Sequence, residues 1–360
     1  MERAGLWSLA VSLPRAVRTN DFFRARHPEV VKHVEEKASA SPWVPDDGDG
    51  PAALFDRAMA PYARDPFRGT VRRHVLSDGE TLHEHGLAAA RSALAAAHAT
   101  ARDVDLIVSV SFLPDQLGVG DAPFLARDLD ARCAAWNLEA ACAGGAVALS
   151  TAASLVRSGA HRVALVVVGC SYSRWVDEAS PLAWPMGDGA AAFVIGAVPQ
   201  TEGVLGSCTV HTAETCDVLR WAQVVDASGA PRVWMQAGEG GLRVLRETAE
   251  RHLRHCCEGA AREAGVRLSD VDLFVFNTPV AWFADFATRA LGVDGARTID
   301  RYADFGNMGP VLMPLNLHEA ARAGRVRRGD LVLVYSVGSV SAASATVMRW
   351  GDVRLGSTPA

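Results

Sequence analysis

The chain has 360 residues, 49% hydrophobic and 21% charged, with a formal charge of -5 at pH 7. This is ordinary globular composition, long enough for two domains or two halves of one large unit. The balance argues against a nucleic-acid partner, since no basic stripe dominates, and no apolar run reaches the roughly 20 residues that cross a bilayer.

Taken in chain order, the opening MERAGLWSLAVSLPRAV has an apolar centre without a cleavage-site pattern and predicts a first strand. The stretch SPWVPDDGDGPAA (41–53), rich in proline, aspartate and glycine, predicts an exposed loop. Apolar, β-branched runs predict strands at 105–111, 162–169, 191–196, 272–277, 330–338 and 345–350. Alanine-rich stretches predict helices at 80–98, 142–158, 241–264 and 310–323. Such alternation gives an α/β protein with buried strands. The seven cysteines (Cys133, Cys142, Cys170, Cys208, Cys216, Cys256 and Cys257) are odd in number and scattered, which is no disulfide framework and predicts a reducing cytoplasm.

An internal echo divides the chain near residue 200. DVDLIVSVS begins at Asp103 and DVDLFVFNT at Asp270, each after an alanine-rich helix. A glycine-rich turn and a long helix follow in each half. Those helices end near Ser158-Gly159 and Ala323-Gly324, and a strand returns as RVALVVVG or DLVLVYSVG. The predicted units are 1–200 and 201–360, two copies of one βα arrangement. Superposing the helix ends sets Cys142 opposite Asn307, each at the start of a helix and near a pseudo-twofold axis. Cys142 sits in NLEAACAGGAVAL (137–149), stripped of bulk and charge on both sides. At a helix N-terminus the macrodipole lowers a thiol's pKa, so a thiolate open to substrate is expected there.

These motifs resemble the thiolase-fold condensing enzymes, specifically the β-ketoacyl-[acyl carrier protein] synthase III-like group. SLPRAVRTND resembles the first strand and turn of that group, and ETLHEHGLAAARSAL its first long helix. EAACAGGAVAL matches its nucleophile motif, MGDGAAAFVIG (186–196) its glycine-rich loop and strand, FGNMGP (305–310) its asparagine motif, and VGSVSAASATVMRW its final loop and strand. The resemblance implies a duplicated thiolase-type α/β/α/β/α sandwich, an α/β fold with two pseudo-twofold-related halves, and a homodimer. It implies that Cys142 accepts an acyl group from a coenzyme A or carrier-protein thioester, with the N–H groups of Cys142 and Ser339 forming an oxyanion hole. It implies no permanently bound cofactor, the acyl-CoA or phosphopantetheinyl carrier being a co-substrate.

The group's histidine is missing. Asn277 stands at its position, Val280 stands where the accompanying asparagine is usual, and Asn307 matches the later catalytic asparagine. An amide donates a hydrogen bond to a thioester carbonyl but moves no proton near neutral pH. Asn277 and Asn307 are therefore expected to polarise or orient the second substrate. The segment RGTVRRHVL (68–76) is kept, but the tryptophan that usually precedes it to clamp adenine is not. An insertion-like loop at about 41–66 takes that place, with Trp43 as a substitute clamp.

Other candidates follow from position. Glu80 opens the first long helix where the hydroxymethylglutaryl-CoA synthase branch carries its catalytic acid, and is a candidate base. In this group the loop SFLPDQLGVGDAP (111–123) lines the partner's acyl pocket, which makes Asp115, Gln116 and Leu117 candidate substrate contacts. Val280 and Trp282 are expected to shape the entrance. HLRHCC (252–257) puts His252 with Cys256, and with His255, on one helix face. In an amphipathic helix the cysteines serve as small apolar residues, and no metal is expected. The expected function is acyl transfer through Cys142 to a non-malonyl acceptor, an amine or hydroxyl, in specialised metabolism. The alternatives are Claisen-type carbon–carbon condensation and a catalytically silent subunit of a ketosynthase heterodimer. The expected partners are a carrier protein or coenzyme A donor and a small-molecule acceptor, with no nucleic acid and no membrane.

Overall fold

A computed structural model describes residues 3–40, 45, 48–226 and 228–356. Trp43 lies outside the described residues. The first half runs β1 (Arg3–Ser12), β2 (Ala16–Thr19), α1 (Asn20–Arg26), α2 (Pro28–Ala40), α3 (Ala53–Met59), β3 (Arg72–Val75), α4 (Leu82–Ala96), β4 (Leu106–Phe112), α5 (Ala122–Asp128), β5 (Ala134–Asn137), α6 (Gly144–Arg157), β6 (Val163–Ser171) and β7 (Asp188–Val198). The second runs β8 (Gly203–His211), β9 (Leu219–Val225), β10 (Pro231–Ala237), α7 (Gly241–Ala264), β11 (Leu273–Phe276), α8 (Phe283–Leu291), β12 (Thr298–Ile299), α9 (Tyr302–Phe305), α10 (Leu312–Arg322), β13 (Leu331–Val337), β14 (Ala342–Arg349) and β15 (Arg354–Leu355).

The two main sheets have one topology. Starting from β1 the order is β1-β7-β6-β4-β5, and from β8 it is β8-β14-β13-β11-β12. In each, the first two pairings are antiparallel and the next two parallel. β15 returns from the far end of the chain to pair with β1, Leu9 opposite Leu355. β2 with β3 and β9 with β10 form two separate ribbons.

The strands are apolar throughout because both faces are covered. Along β6, Ala164, Val166 and Val168 face a central cluster with α6 and α10, while Val163, Leu165 and Val167 face an outer cluster with α4. Along β13, Val332 and Val334 join the same central cluster, and Leu331, Leu333 and Tyr335 face a second outer cluster with α7 and α8. The layers are therefore helix, sheet, helix, sheet, helix. The two central helices start close together, since a Cβ on Gly145 would lie 2.7 Å from the Pro310 carbonyl oxygen.

Local chemistry sets the ends that matter. Thr81 caps α4 and forms a capping box with Glu84, their reciprocal hydrogen bonds being 3.2 and 3.0 Å, so Glu80 falls just outside the helix. Part of the insertion-like stretch is packed rather than exposed. In α3, Phe55 meets Trp282 and Phe286 edge-on at 5.9 and 5.3 Å, and the buried Asp56 pairs with Arg246 of α7.

Candidate active site

Cys142 lies in a single 3-10 turn, Ala141–Ala143, that leads into α6. Ala141 takes a left-handed φ of 49°, costly for a residue with a Cβ. The turn is held from both sides: Glu139 Oε1 accepts the Ala141 N–H at 2.6 Å, and the Ala140 carbonyl accepts the Ala143 N–H at 3.1 Å. The Cys142 N–H lies between these two occupied donors. Cys142 Sγ is 3.2 Å from the Tyr172 hydroxyl, and Cys142 is only 7% exposed. Burial pushes its thiol up to about 11; the Tyr172 hydrogen bond opposes this and the Glu139 charge adds to it. The expected thiolate is thus corrected. A helix end is worth about 0.3–1 kcal/mol, less than the cost of taking a sulfur anion out of water.

The glycine motifs act through close backbone approach. A Cβ on Gly338 would lie 2.8 Å from the Ala140 oxygen and 3.1 Å from the Ala143 nitrogen. Ser339, next in sequence, is thereby set beside the cysteine turn. Gly338→Val is expected to displace that turn and slow acylation of Cys142 by at least about tenfold, measured by stopped acylation and mass spectrometry with circular dichroism unchanged. Asn307 is fixed by its backbone, its N–H donating to the Pro185 carbonyl at 2.6 Å and its carbonyl accepting from Gly187 at 2.9 Å. A Cβ at Gly187 would sit 2.5 Å from the Phe305 oxygen, so the two motifs MGDG and FGNMG require each other's glycines. Asn307 Oδ1 accepts the Gly309 N–H at 2.9 Å, which fixes the amide and leaves Nδ2 as the donor side. Asp188, fully buried, accepts the N–H groups of Leu76 and Ser173, each at 2.8 Å, and so anchors the turn that carries Tyr172.

Asn277 is placed differently from the expectation. It is fully buried, its Nδ2 donates to the Val337 carbonyl at 3.1 Å and its Oδ1 accepts the Val337 N–H at 3.0 Å. The amide is thus closed on the backbone N–H and carbonyl of Val337 in β13.

A cavity of about 260 Å³ brings Asn307, Ser339, Val280 and Trp282 together. Phe55, Phe283, Met186 and Leu219 make its wall predominantly apolar, while Arg68 and His252 add charge or proton chemistry. Cys142 does not line it; the cavity is linked to the cysteine turn by way of Ser339, next to Gly338, and by way of Asn307. A Cβ on Gly309, two residues on, would lie 3.2 Å from the Tyr172 hydroxyl that contacts Cys142. Asn277 does not line it. His252 was legible in the sequence only as a face of α7; its place in the cavity was not, because the opposing wall comes from residues 215–219 and 279–283.

The description 3-oxoacyl-[acyl-carrier-protein] synthase III matches residues 136–213, and the C-terminal description of that family matches 261–350. A Rhodospirillum centenum protein named β-ketoacyl-[acyl-carrier-protein] synthase III is 32% identical over 290 residues, 78% of this chain and 88% of its own. The chain belongs to the 3-oxoacyl-[acyl-carrier-protein] synthase III family. A Roseobacter denitrificans protein of the same name is 31% identical over 291 residues, 78% of this chain and 88% of its own. The thiolase-type fold is shared with the Pseudomonas aeruginosa synthase III crystal structure, at TM-score 0.78, 22% identity and coverage of 97% and 98%. It is shared also with cerulenin-bound OleA of Xanthomonas campestris, at TM-score 0.77, 19% identity and coverage of 97% and 98%.

In this synthase III-family chain the remaining predicted residues stand apart from the cavity. Glu80 Oε2 accepts the Ser77 N–H at 2.8 Å and Oε1 meets His85 Nε2 at 3.0 Å, hydrogen bonds that hold its pKa below the ordinary value. His85 Nδ1 in turn meets the buried Ser12 hydroxyl at 2.8 Å. Asp115 accepts the His83 N–H at 2.8 Å, the Gln116 carbonyl accepts from Gly120 at 2.8 Å, and Leu117 is 61% exposed at the loop tip. Arg73 is a bolt for the fold: fully buried, it bonds the Arg18 carbonyl and Asn20 and lies over Phe23. Cys256 and Cys257 are buried in the apolar cluster around α7. No helix among the described residues is long and apolar enough to cross a membrane.

Proposed function

We propose that the chain is an acyltransferase that carries an acyl group as a thioester on Cys142 and passes it to a non-malonyl acceptor, an amine or a hydroxyl, in specialised metabolism. The donor is an acyl-CoA or an acyl group on a phosphopantetheinyl carrier, with no permanently bound cofactor. The observation that carries this reading is the state of position 277. Malonyl condensation makes a carbanion, and the histidine that the resemblance assigns to it is an asparagine whose amide is closed on the backbone N–H and carbonyl of Val337. An amine or hydroxyl brings its own lone pair and needs no decarboxylation. The Cys142 and Ser339 N–H groups serve the oxyanion of each tetrahedral intermediate, and Asn307 Nδ2 orients the incoming group. Val280 and Trp282 shape the apolar channel. Leu117 and Val119, each about 60% exposed, lie near the open edge of β5 with Trp136, which supports a homodimer in which the Asp115–Leu117 loop reaches the partner.

A second reading, carbon–carbon condensation, is favoured by the name of the 32% identical relative. The two separate in one experiment. Enzyme mixed with acyl-CoA and acyl-carrier donors is weighed intact, and a mass gain absent from Cys142→Ala is expected. The acyl-enzyme is then offered malonyl-carrier, or amines and alcohols. Release of a β-ketoacyl product would overturn the non-malonyl reading; amide or ester formation supports it.

A further inference from the structure

The cavity holds one side chain able to exchange a proton near neutral pH. Among the described lining residues the ionisable side chains are those of Arg68, His252 and Tyr302, and of these types only an imidazole exchanges protons near pH 7. His252 stands on the same face of α7 as Leu245, Thr248 and Ala249, spaced three, four and seven residues apart, and all four line the cavity. Two turns of the helix thus line the space that Asn307 and Ser339 also line. The ring is 6% exposed, and its Nε2 lies 3.6 Å from Glu214 Oε1, a carboxylate that also pairs with Arg251.

We infer that His252 is the proton acceptor for acyl transfer, taking over from across the cavity the role left empty at position 277. This rests on the acyl-S-Cys142 reading above. As the acceptor's oxygen or nitrogen bonds to the acyl carbon, its proton passes to the unprotonated imidazole. Collapse of the intermediate breaks the carbon–sulfur bond, and the departing Cys142 sulfur regains that proton, so thiol and imidazole both return to their neutral forms. The charged and titratable groups around the ring set its poise. Burial lowers its pKa from the ordinary histidine value, Glu214 raises it, and Arg251, His211 and His255 lower it further. The net lowering favours the unprotonated imidazole, the form a base requires. Phe55, Trp282 and Phe283 make the rest of the same space largely apolar.

The test uses the full chain loaded with acyl group from an acyl-CoA or acyl-pantetheine thioester, with water as the acceptor. Decay of the acyl-enzyme is followed by intact mass. His252→Gln, brought to full loading by prolonged incubation because loss of the base slows loading as well, is expected to deacylate about 10²–10⁴-fold more slowly than the parent. Hydroxylamine, a nucleophile that needs no base, should deacylate both proteins at similar rates. In the parent, deacylation should fall on acidification through an inflection below the ordinary histidine pKa. Glu214→Gln should move that inflection to lower pH, while His252→Gln abolishes it; a purely structural role would move neither. Equal hydrolysis rates and an unchanged pH profile in His252→Gln would overturn the assignment even though loading succeeds. Failure of the parent to load at all would instead overturn the acyl-enzyme reading on which it depends.

Discussion

Cys142→Ala is expected to abolish acyl loading and to lower transfer by at least about a thousandfold, because covalent catalysis loses its only bond-forming atom. The fold should survive. The side chain is small, and its neighbours Ala141, Ala143, Gly144 and Gly145 already leave the turn defined by backbone hydrogen bonds to Glu139 and Ala140. The same residue makes a sharper prediction in pH. With the thiol pushed up to about 11 by burial, the thiolate fraction at pH 7 is small and grows tenfold with each pH unit until it levels near 11. The rate of Cys142 alkylation by iodoacetamide, read by peptide mass, should follow that rise. A rate already flat at pH 8 would mean that the helix end, not burial, sets the thiol. The sign has a mechanistic consequence. A resting thiol beside a neutral tyrosine resists adventitious oxidation and alkylation, and it must shed its proton during attack on the donor thioester rather than beforehand.

Asn277→His should not restore malonyl condensation. The Asn277 amide bonds both the N–H and the carbonyl of Val337, and no imidazole tautomer offers a donor and an acceptor at that spacing. Either hydrogen bond lost in a fully buried site leaves the Val337 N–H or carbonyl unsatisfied, which costs about 1–3 kcal/mol, and the larger ring adds about 1–3 kcal/mol of overpacking. A stability loss of about 2–6 kcal/mol by urea unfolding is expected, with no β-ketoacyl product from malonyl-carrier. Appearance of that product with stability intact would show that the site had lost only its histidine. Because Val337 immediately precedes Gly338 and Ser339, disruption there should also slow loading of Cys142, a coupling that loading kinetics would detect in the same samples.

The strand runs, the long helices and the internal duplication were legible in the sequence because periodicity and buried apolar runs are local properties. RVALVVVG and DLVLVYSVG each announced a strand covered on both faces, and both proved central strands of matching sheets. The internal duplication placed Cys142 and Asn307 opposite each other, and the structure sets their turns at the adjoining starts of α6 and α10. The ribbons β2–β3 and β9–β10 were not foreseen: they are short or half-exposed, and their patterns compete poorly with the long buried runs. Tertiary structure alone decided the protonation of Cys142, since burial depends on everything packed around it and the helix end only on its own segment. It also decided that Asn277 turns to Val337, sixty residues away, and that His252 turns to the cavity. In each case the deciding partner lies far along the chain, and only packing of separate elements could bring it within hydrogen-bonding or van der Waals reach.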